Sequence, residues 1–342
     1  MKKQWLIGAA AAALIAGLAG GYGILGNKGA AGADNEPEIV LCYGEVNPEG
    51  HVLTDSAQYF ADRVSELTGG RVMVEIYPSG QLGDDARCYQ SMEMGALDLY
   101  RGNSMSLADS GNPMMSALVL PYVFRDRDHF WKVCGSDLGR EILDNIQDCT
   151  GMIGLAYLDE GARNFFTTDR PVRRLEDMKG LKFRVLSTCP MFFDLYNALG
   201  ANPTAINMSE VFTSLQQGVV DGQENAVDTF MSYNLNEVQS YITCWNGVYD
   251  AVAFVASPQF MSGLSEDDQK LVRDCAKQAM DFQREISRAG EQEILTRMGE
   301  TMTVTYLSDE EIGVFRDAAA GVYDQWYDAI GADIMTAFGY EK

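Results

Sequence analysis

The sequence predicts an α/β protein of two lobes braced by a long helix, and three observations carry that reading. At 342 residues, with 46% hydrophobic and 22% charged content, the chain is too long for one small core and ordinary for a globular protein, so two domains are expected. Its first hundred residues alternate in the order strand, helix, strand, helix, strand, the grammar of a mostly parallel sheet with helices on its faces. A short segment then recurs: Ser91-Met92-Glu93-Met94-Gly95-Ala96-Leu97-Asp98 aligns without a gap on Ser214-Leu215-Gln216-Gln217-Gly218-Val219-Val220-Asp221, which implies two similar lobes.

Residues 38–43 read as the first strand. An amphipathic helix follows over 54–68, stopped by Gly69-Gly70. Alternation marks 71–77 as a strand, the Pro78-Ser79-Gly80 run as a turn, 84–94 as a second helix stopped by Gly95, and 97–100 as a third strand. In such a sheet the ligand crevice lies outside the carboxyl ends of the strands. Later, Leu181, Phe183 and Val185 alternate as a strand, so Arg184 points the opposite way, toward a cleft. Ser265-Glu266-Asp267-Asp268 resembles a capping box with an acidic first turn. The helix it opens continues without proline to about 299, roughly 50 Å, long enough to cross both lobes, with Gly290 as a point where it could divide. A strand over 301–307 and a final helix from Ser308 complete the chain, and the aromatics of that helix (Phe315, Tyr323, Trp326, Tyr327) are expected to pack on a lobe.

The charge balance restricts the partners. With 49 Asp and Glu against 26 Lys and Arg, a formal charge of -23, and no basic stripe, nucleic acid is excluded as a partner. The overall field repels anions, so any anion site must be local. Arg184 and Arg163 are the candidates for a small carboxylate's partners, because a guanidinium pairs with a carboxylate through two parallel hydrogen bonds. The competing reading of both is a structural ion pair.

Met1-Lys2-Lys3, an uncharged run from Leu6 to Leu25 and Ala31-Gly32-Ala33 form an export segment, 1–33, either cleaved or kept as a membrane anchor. No cysteine lies in it, which argues against a lipoprotein anchor. The seven cysteines carry no C-x-x-C spacing and do not form a metal site; being odd in number, they leave at least one thiol unpaired within the chain. If 137–147 is helical, Cys134 and Cys149 lie about 20 Å apart at its two ends and cannot bridge. Other pairings stay open. Only His51 and His129 are present, neither at metal-ligand spacing, and no nucleophile elbow, phosphate loop or dinucleotide fingerprint occurs. No catalytic residue, metal or cofactor is expected, although paired carboxylates for acid/base work stay open.

The central block has a specific order: Arg163 before Thr167-Thr168, then Arg170-Pro171-Val172, Met178-Lys179-Gly180-Leu181-Lys182-Phe183-Arg184-Val185, Gly200-Ala201-Asn202-Pro203, Ser209-Glu210-Val211 and Gly222-Gln223-Glu224-Asn225. In this block and in Tyr77-Pro78-Ser79-Gly80-Gln81-Leu82-Gly83 the chain resembles the extracytoplasmic solute-binding proteins of tripartite ATP-independent periplasmic (TRAP) transporters, DctP type. The resemblance implies a two-lobed periplasmic-binding-protein-like fold with a central ligand cleft. Lobe I is expected at 34–158 with a return over about 250–342, and lobe II at 159–249. It also implies Arg184 as the bidentate partner of the ligand carboxylate, Arg163 as its helper and Asn225 as a hydrogen-bond partner at the same end.

Departures from the family pattern concern the ligand. Ala226 stands where proline usually follows, and Asp228 would bring a negative charge close to the anion site. Asn103 occupies a place where sialic-acid binders carry glutamate, so sialate specificity is not supported. Met208 replaces a frequent aromatic and softens the pocket wall. The expected partners are a small carboxylate ligand and the small and large TRAP membrane subunits, with the binding protein a monomer. A ligand-sensing partner of a receptor and an exported carboxylate-processing enzyme are the alternatives.

Overall fold

The computed structural model describes residues 36–342; the export segment lies outside the described residues. In chain order the elements begin with β1 (Ile39–Gly44), α1 (Val52–Leu67), β2 (Val72–Tyr77), α2 (Asp85–Glu93), β3 (Leu99–Asn103) and α3 (Ser104–Asp109). Helices α4 (Arg127–Cys134) and α5 (Asp137–Thr150) lead to the long strand β4 (Ile153–Thr167). A second series follows: β5 (Lys182–Val185), α6 (Pro190–Ala198), β6 (Asn202–Ala205), α7 (Met208–Gln216), β7 (Gly222–Asn225) and α8 (Val227–Ser232). The chain then runs through β8 (Tyr241–Ala256), α9 (Pro258–Gly263), α10 (Glu266–Met298), β9 (Thr303–Tyr306), α11 (Asp309–Ala319), α12 (Gly321–Ile330) and α13 (Ala332–Ala337).

One sheet has the order β2-β1-β3-β8-β4-β7-β5-β6, with β9 beside β8. This order is a palindrome of parts. β1 pairs parallel with β2 and β3, and β5 pairs parallel with β6 and β7, while β4 and β8 run antiparallel between the two trios. The sheet is therefore mixed where βαβ grammar alone predicts parallel pairing, because β4 and β8 cross from one half to the other and must return.

The repeated segment occupies equivalent corners of the two trios. Gly95 and Gly218 both take left-handed backbone, at φ 70° and 67°. Ala96 N–H donates to Ser91 O at 2.8 Å, and Val219 N–H donates to Ser214 O at 2.9 Å. Each aspartate then caps the neighbouring strand: Asp98 Oδ2 accepts from Cys42 N–H and Asp221 Oδ2 from Lys182 N–H, both at 2.9 Å.

Helix α10 is unbroken for 33 residues, and Gly290 does not divide it. Its first turns bury Val272, Cys275 and Ala276 in a cluster with Leu41, Phe60 and Phe254, and its last turns bury Leu295 and Met298 with Phe166 and Phe230. The brace therefore joins the apolar cores of both halves. The C-terminal segment forms three helices instead of the single one expected. Gly331 takes φ 104°, which a helix cannot continue through. The aromatics pack as expected: Phe315 is fully buried, Tyr323 donates to Pro121 O at 2.8 Å and Trp326 donates to Asp194 at 2.9 Å. All seven cysteines are free thiols, Cys134 and Cys149 near opposite ends of α5. No described helix is long and apolar enough to cross a membrane.

Candidate functional site

A cavity of about 580 Å³ opens beside the carboxyl ends of β3, β5 and β7, lined by Arg101, Arg163, Arg184, Glu160, Asn103 and Asn225 among others. Alternation positions Arg184. Phe183 and Val185 are fully buried on one face of β5, so the arginine between them faces the cavity wall. Its Nε donates to Ile206 O at 2.9 Å, while its buried Nη2 has no partner. No carboxylate of the described chain forms a salt bridge with it. Burial lowers its pKa to about 10, with Arg163 pushing the same way and Glu224 opposing. It remains charged at neutral pH, desolvated and without a counter-ion in contact.

Arg163 has the opposite circumstances. On β4, it ion-pairs through Nε with Glu224 and through Nη1 with Asp250. Its Nη2 donates to Glu224 Oε1 at 3.0 Å and to Asn225 Oδ1 at 3.1 Å. Burial acts against the charge, but Glu224 and Asp250 outweigh it and hold the guanidinium protonated. Arg163 therefore lines the cavity as a structural ion pair, the competing reading of the sequence.

Asn225 ends β7 with Nδ2 donating to Gln223 Oε1 at 2.9 Å. Asn103 ends β3; its Oδ1 caps α3 by accepting from Met105 N–H at 3.0 Å, and its Nδ2 donates to Asp250 at 2.8 Å. Met208 opens α7 half-buried at the rim, with Sδ 3.8 Å from Asn225 Nδ2. Five of the six expected residues thus line one cavity. Asp228 is the correction. It lies off the cavity lining, where its Oδ2 accepts from Val52 N–H at 3.2 Å and sits 3.2 Å from His51 Nε2. The turn of α8 points it at the start of α1.

The sequence reading missed Arg101, whose Nε donates to buried Glu45 at 3.1 Å. The repeat held the signal: Arg101 follows Asp98 by the same spacing as Glu224 follows Asp221, so the equivalent strands place charged residues, though of opposite sign, at equivalent positions. Glu160 was also missed. The β4–β8 register shifts between Asp159 and Gly161, making Glu160 the extra residue of a bulge, and a bulge re-aims a side chain. Gln283 of α10 secures that bulge by accepting from Asp159 N–H at 3.1 Å and donating to Asp159 O. Burial pushes the Glu160 carboxyl up, but the guanidiniums of Arg101 and Arg163 pull it down, and it is held at about 2. Asp250 is pushed well above the ordinary carboxylate range by burial and by Glu160 and Glu224, against the pull of Arg163.

Three buried guanidiniums thus line the cavity, and the chain neutralises two of them. A mixed sheet with twin halves around a cavity holding one uncompensated, desolvated guanidinium has the layout of a solute-binding protein. The chain belongs to the DctP family of bacterial extracellular solute-binding proteins, family 7, whose profile matches residues 43–329. A solute-binding protein of Roseobacter denitrificans is 34% identical over 248 residues, 72% of this chain and 75% of the relative. Among solved structures, a TRAP periplasmic solute-binding protein from Roseobacter denitrificans with bound L-galactonate is 30% identical at a TM-score of 0.82, covering 89% of this chain and 100% of its own. One from Sulfurospirillum deleyianum with bound succinate is 28% identical at a TM-score of 0.84, covering 90% of this chain and 100% of its own.

Proposed function

We propose that this protein captures a small organic acid carrying a single carboxylate and hands it to the small and large membrane subunits of a TRAP transporter. The observation that carries the reading is the Arg184 Nη2, buried at the cavity wall without a partner. A ligand carboxylate supplies the missing charge and acceptor at once. A second carboxylate would have to displace Glu45 from Arg101, or Glu224 and Asp250 from Arg163, so hydroxyl-bearing monoacids fit better than dicarboxylates. Asn225 stands near the carboxylate end. Asn103 and Met208 shape the wall, and Arg163 acts by holding Glu224 and Asn225 in place.

The lobes divide at 158/159 and 249/250, within the long strands β4 and β8, and closure about those strands excludes water from the captured acid. The protein acts as an exported monomer in the periplasm, through the segment 1–33, and performs no chemistry on its ligand.

Calorimetry with L-galactonate and succinate, and a thermal-shift screen of sugar acids and dicarboxylates, test this reading. The monoacid is expected to bind and the dicarboxylate to bind weakly. Arg184→Ala is expected to lose about 2–5 kcal/mol of affinity, typical of truncating one partner of a buried charge pair. Binding that survives this change at wild-type strength rejects the assignment. Bound acid recovered unchanged by mass spectrometry separates capture from catalysis.

A further inference from the structure

His51 is fully buried at the start of α1, and three contacts define its protonation. Its Nδ1 accepts from Leu53 N–H at 3.1 Å as the helix cap, so Nδ1 carries no proton. On the other side, Nε2 lies 3.1 Å from Thr229 Oγ1 and 3.2 Å from Asp228 Oδ2. Thr229 donates its own hydroxyl proton to Glu160 Oε1 at 3.0 Å, which leaves only lone pairs facing the imidazole. Asp228, as a carboxylate, also only accepts. The cap and both partners therefore agree on one form, the neutral imidazole protonated at Nε2.

The hydrogen bonds run in one direction: Leu53 N–H to His51, His51 to Thr229 and Asp228, Thr229 to Glu160. The last member, Glu160, lines the cavity, as does Thr229. The same two segments are joined a second time, because Tyr233 donates to Val46 O at 2.8 Å. The relay thus links the β1–α1 segment to α8 beside the cavity.

We propose that His51 is a positioning residue of the solute site: as the Nε2–H imidazole it fixes the Thr229 hydroxyl, and through it the orientation of the Glu160 carboxylate. The role rests on the cavity being the solute site, but the relay itself can be tested without any ligand. The charged groups around the imidazole are the carboxylates of Glu45, Asp55, Glu160 and Asp228.

The chain contains only two histidines, so imidazole nitrogen NMR of the purified protein resolves both, and His129→Gln assigns them. At pH 7.5 the His51 ring is expected as the Nε2–H tautomer; an Nδ1–H tautomer there overturns the proposal. Carboxyl-carbon NMR at pH 7.5, with Glu160 assigned through Glu160→Gln, then reads that group in two variants. His51→Asn keeps a helix cap and loses the reach to Thr229. His51→Gln keeps an amide donor toward Thr229 and loses the cap. The Glu160 carboxyl resonance is expected to shift in His51→Asn and to return in His51→Gln, although the latter melts lower. An unchanged Glu160 resonance in folded His51→Asn, or a shift that follows loss of the cap instead, overturns the relay. Failure of L-galactonate to bind a protein with the expected tautomer and resonances counts against the proposed ligand and leaves the relay standing.

Discussion

Arg163 is bound to Glu224 by two of its nitrogens, Nε and Nη2, the second donating to Oε1 at 3.0 Å, although the two residues are 61 positions apart. The pair is fully desolvated, and Asp250 completes it from β8. Arg163→Ala should therefore act first on stability. It leaves two buried carboxylates without their cation, a loss of about 3–5 kcal/mol in urea unfolding. A cost below 1 kcal/mol would show that Glu224 and Asp250 take up protons without strain.

Arg184→Ala should behave in the reverse manner. Its guanidinium has no chain carboxylate in contact, so the unfolding midpoint of the ligand-free variant is expected at or above the wild-type value while affinity for the acid collapses. A large drop in the ligand-free midpoint would mean that the Ile206 contact, and not ligand capture, is its main role.

The twin aspartates predict an asymmetric pair of effects. Asp98→Ala strips the acceptor from the half-buried Cys42 N–H and should cost about 1–2 kcal/mol. Asp221→Ala should cost less, because Lys182 is exposed and water can replace the carboxylate. Equal losses in chemical denaturation would contradict that distinction.

Gly290 lies inside continuous helix, and a Cβ built there meets nothing within 4 Å. Gly290→Ala is expected to stabilise the protein by roughly 0.5–1 kcal/mol, the backbone entropy that alanine saves in a helix. A lower melting temperature in this variant would refute the account.

Stability should rise on mild acidification. Burial raises the carboxyls of Glu45, Asp159, Glu224, Asp250 and Glu291, so these groups bind protons more tightly in the folded chain than in the unfolded one. Their destabilisation, present at neutral pH, is relieved as pH falls through their folded values toward the unfolded carboxylate range near 4. Glu160 has the opposite sign: its contribution is complete above its unfolded value and is lost as pH falls toward about 2. Melting temperature is expected to climb from pH 7 toward about 5 and to drop below about 4. A monotonic fall on acidification from pH 7 would contradict it.

The local grammar of this fold was legible in the chain. Strand alternation placed Arg184 opposite Phe183 and Val185, glycine stops ended the early helices, a serine and three acids opened the 33-residue brace, and the repeat located matching corners of the two trios. Each of these is decided by residues within a turn or two of one another, so periodicity and capping chemistry suffice to read them. The mixed sheet, the bulge that turns Glu160 inward, the pairing that neutralises Arg163 and leaves Arg184 uncompensated, and the capture of Asp228 by His51 could not be read that way. They depend on partners up to 177 positions apart, and a charge is free or paired only once packing has chosen its neighbours and removed the water.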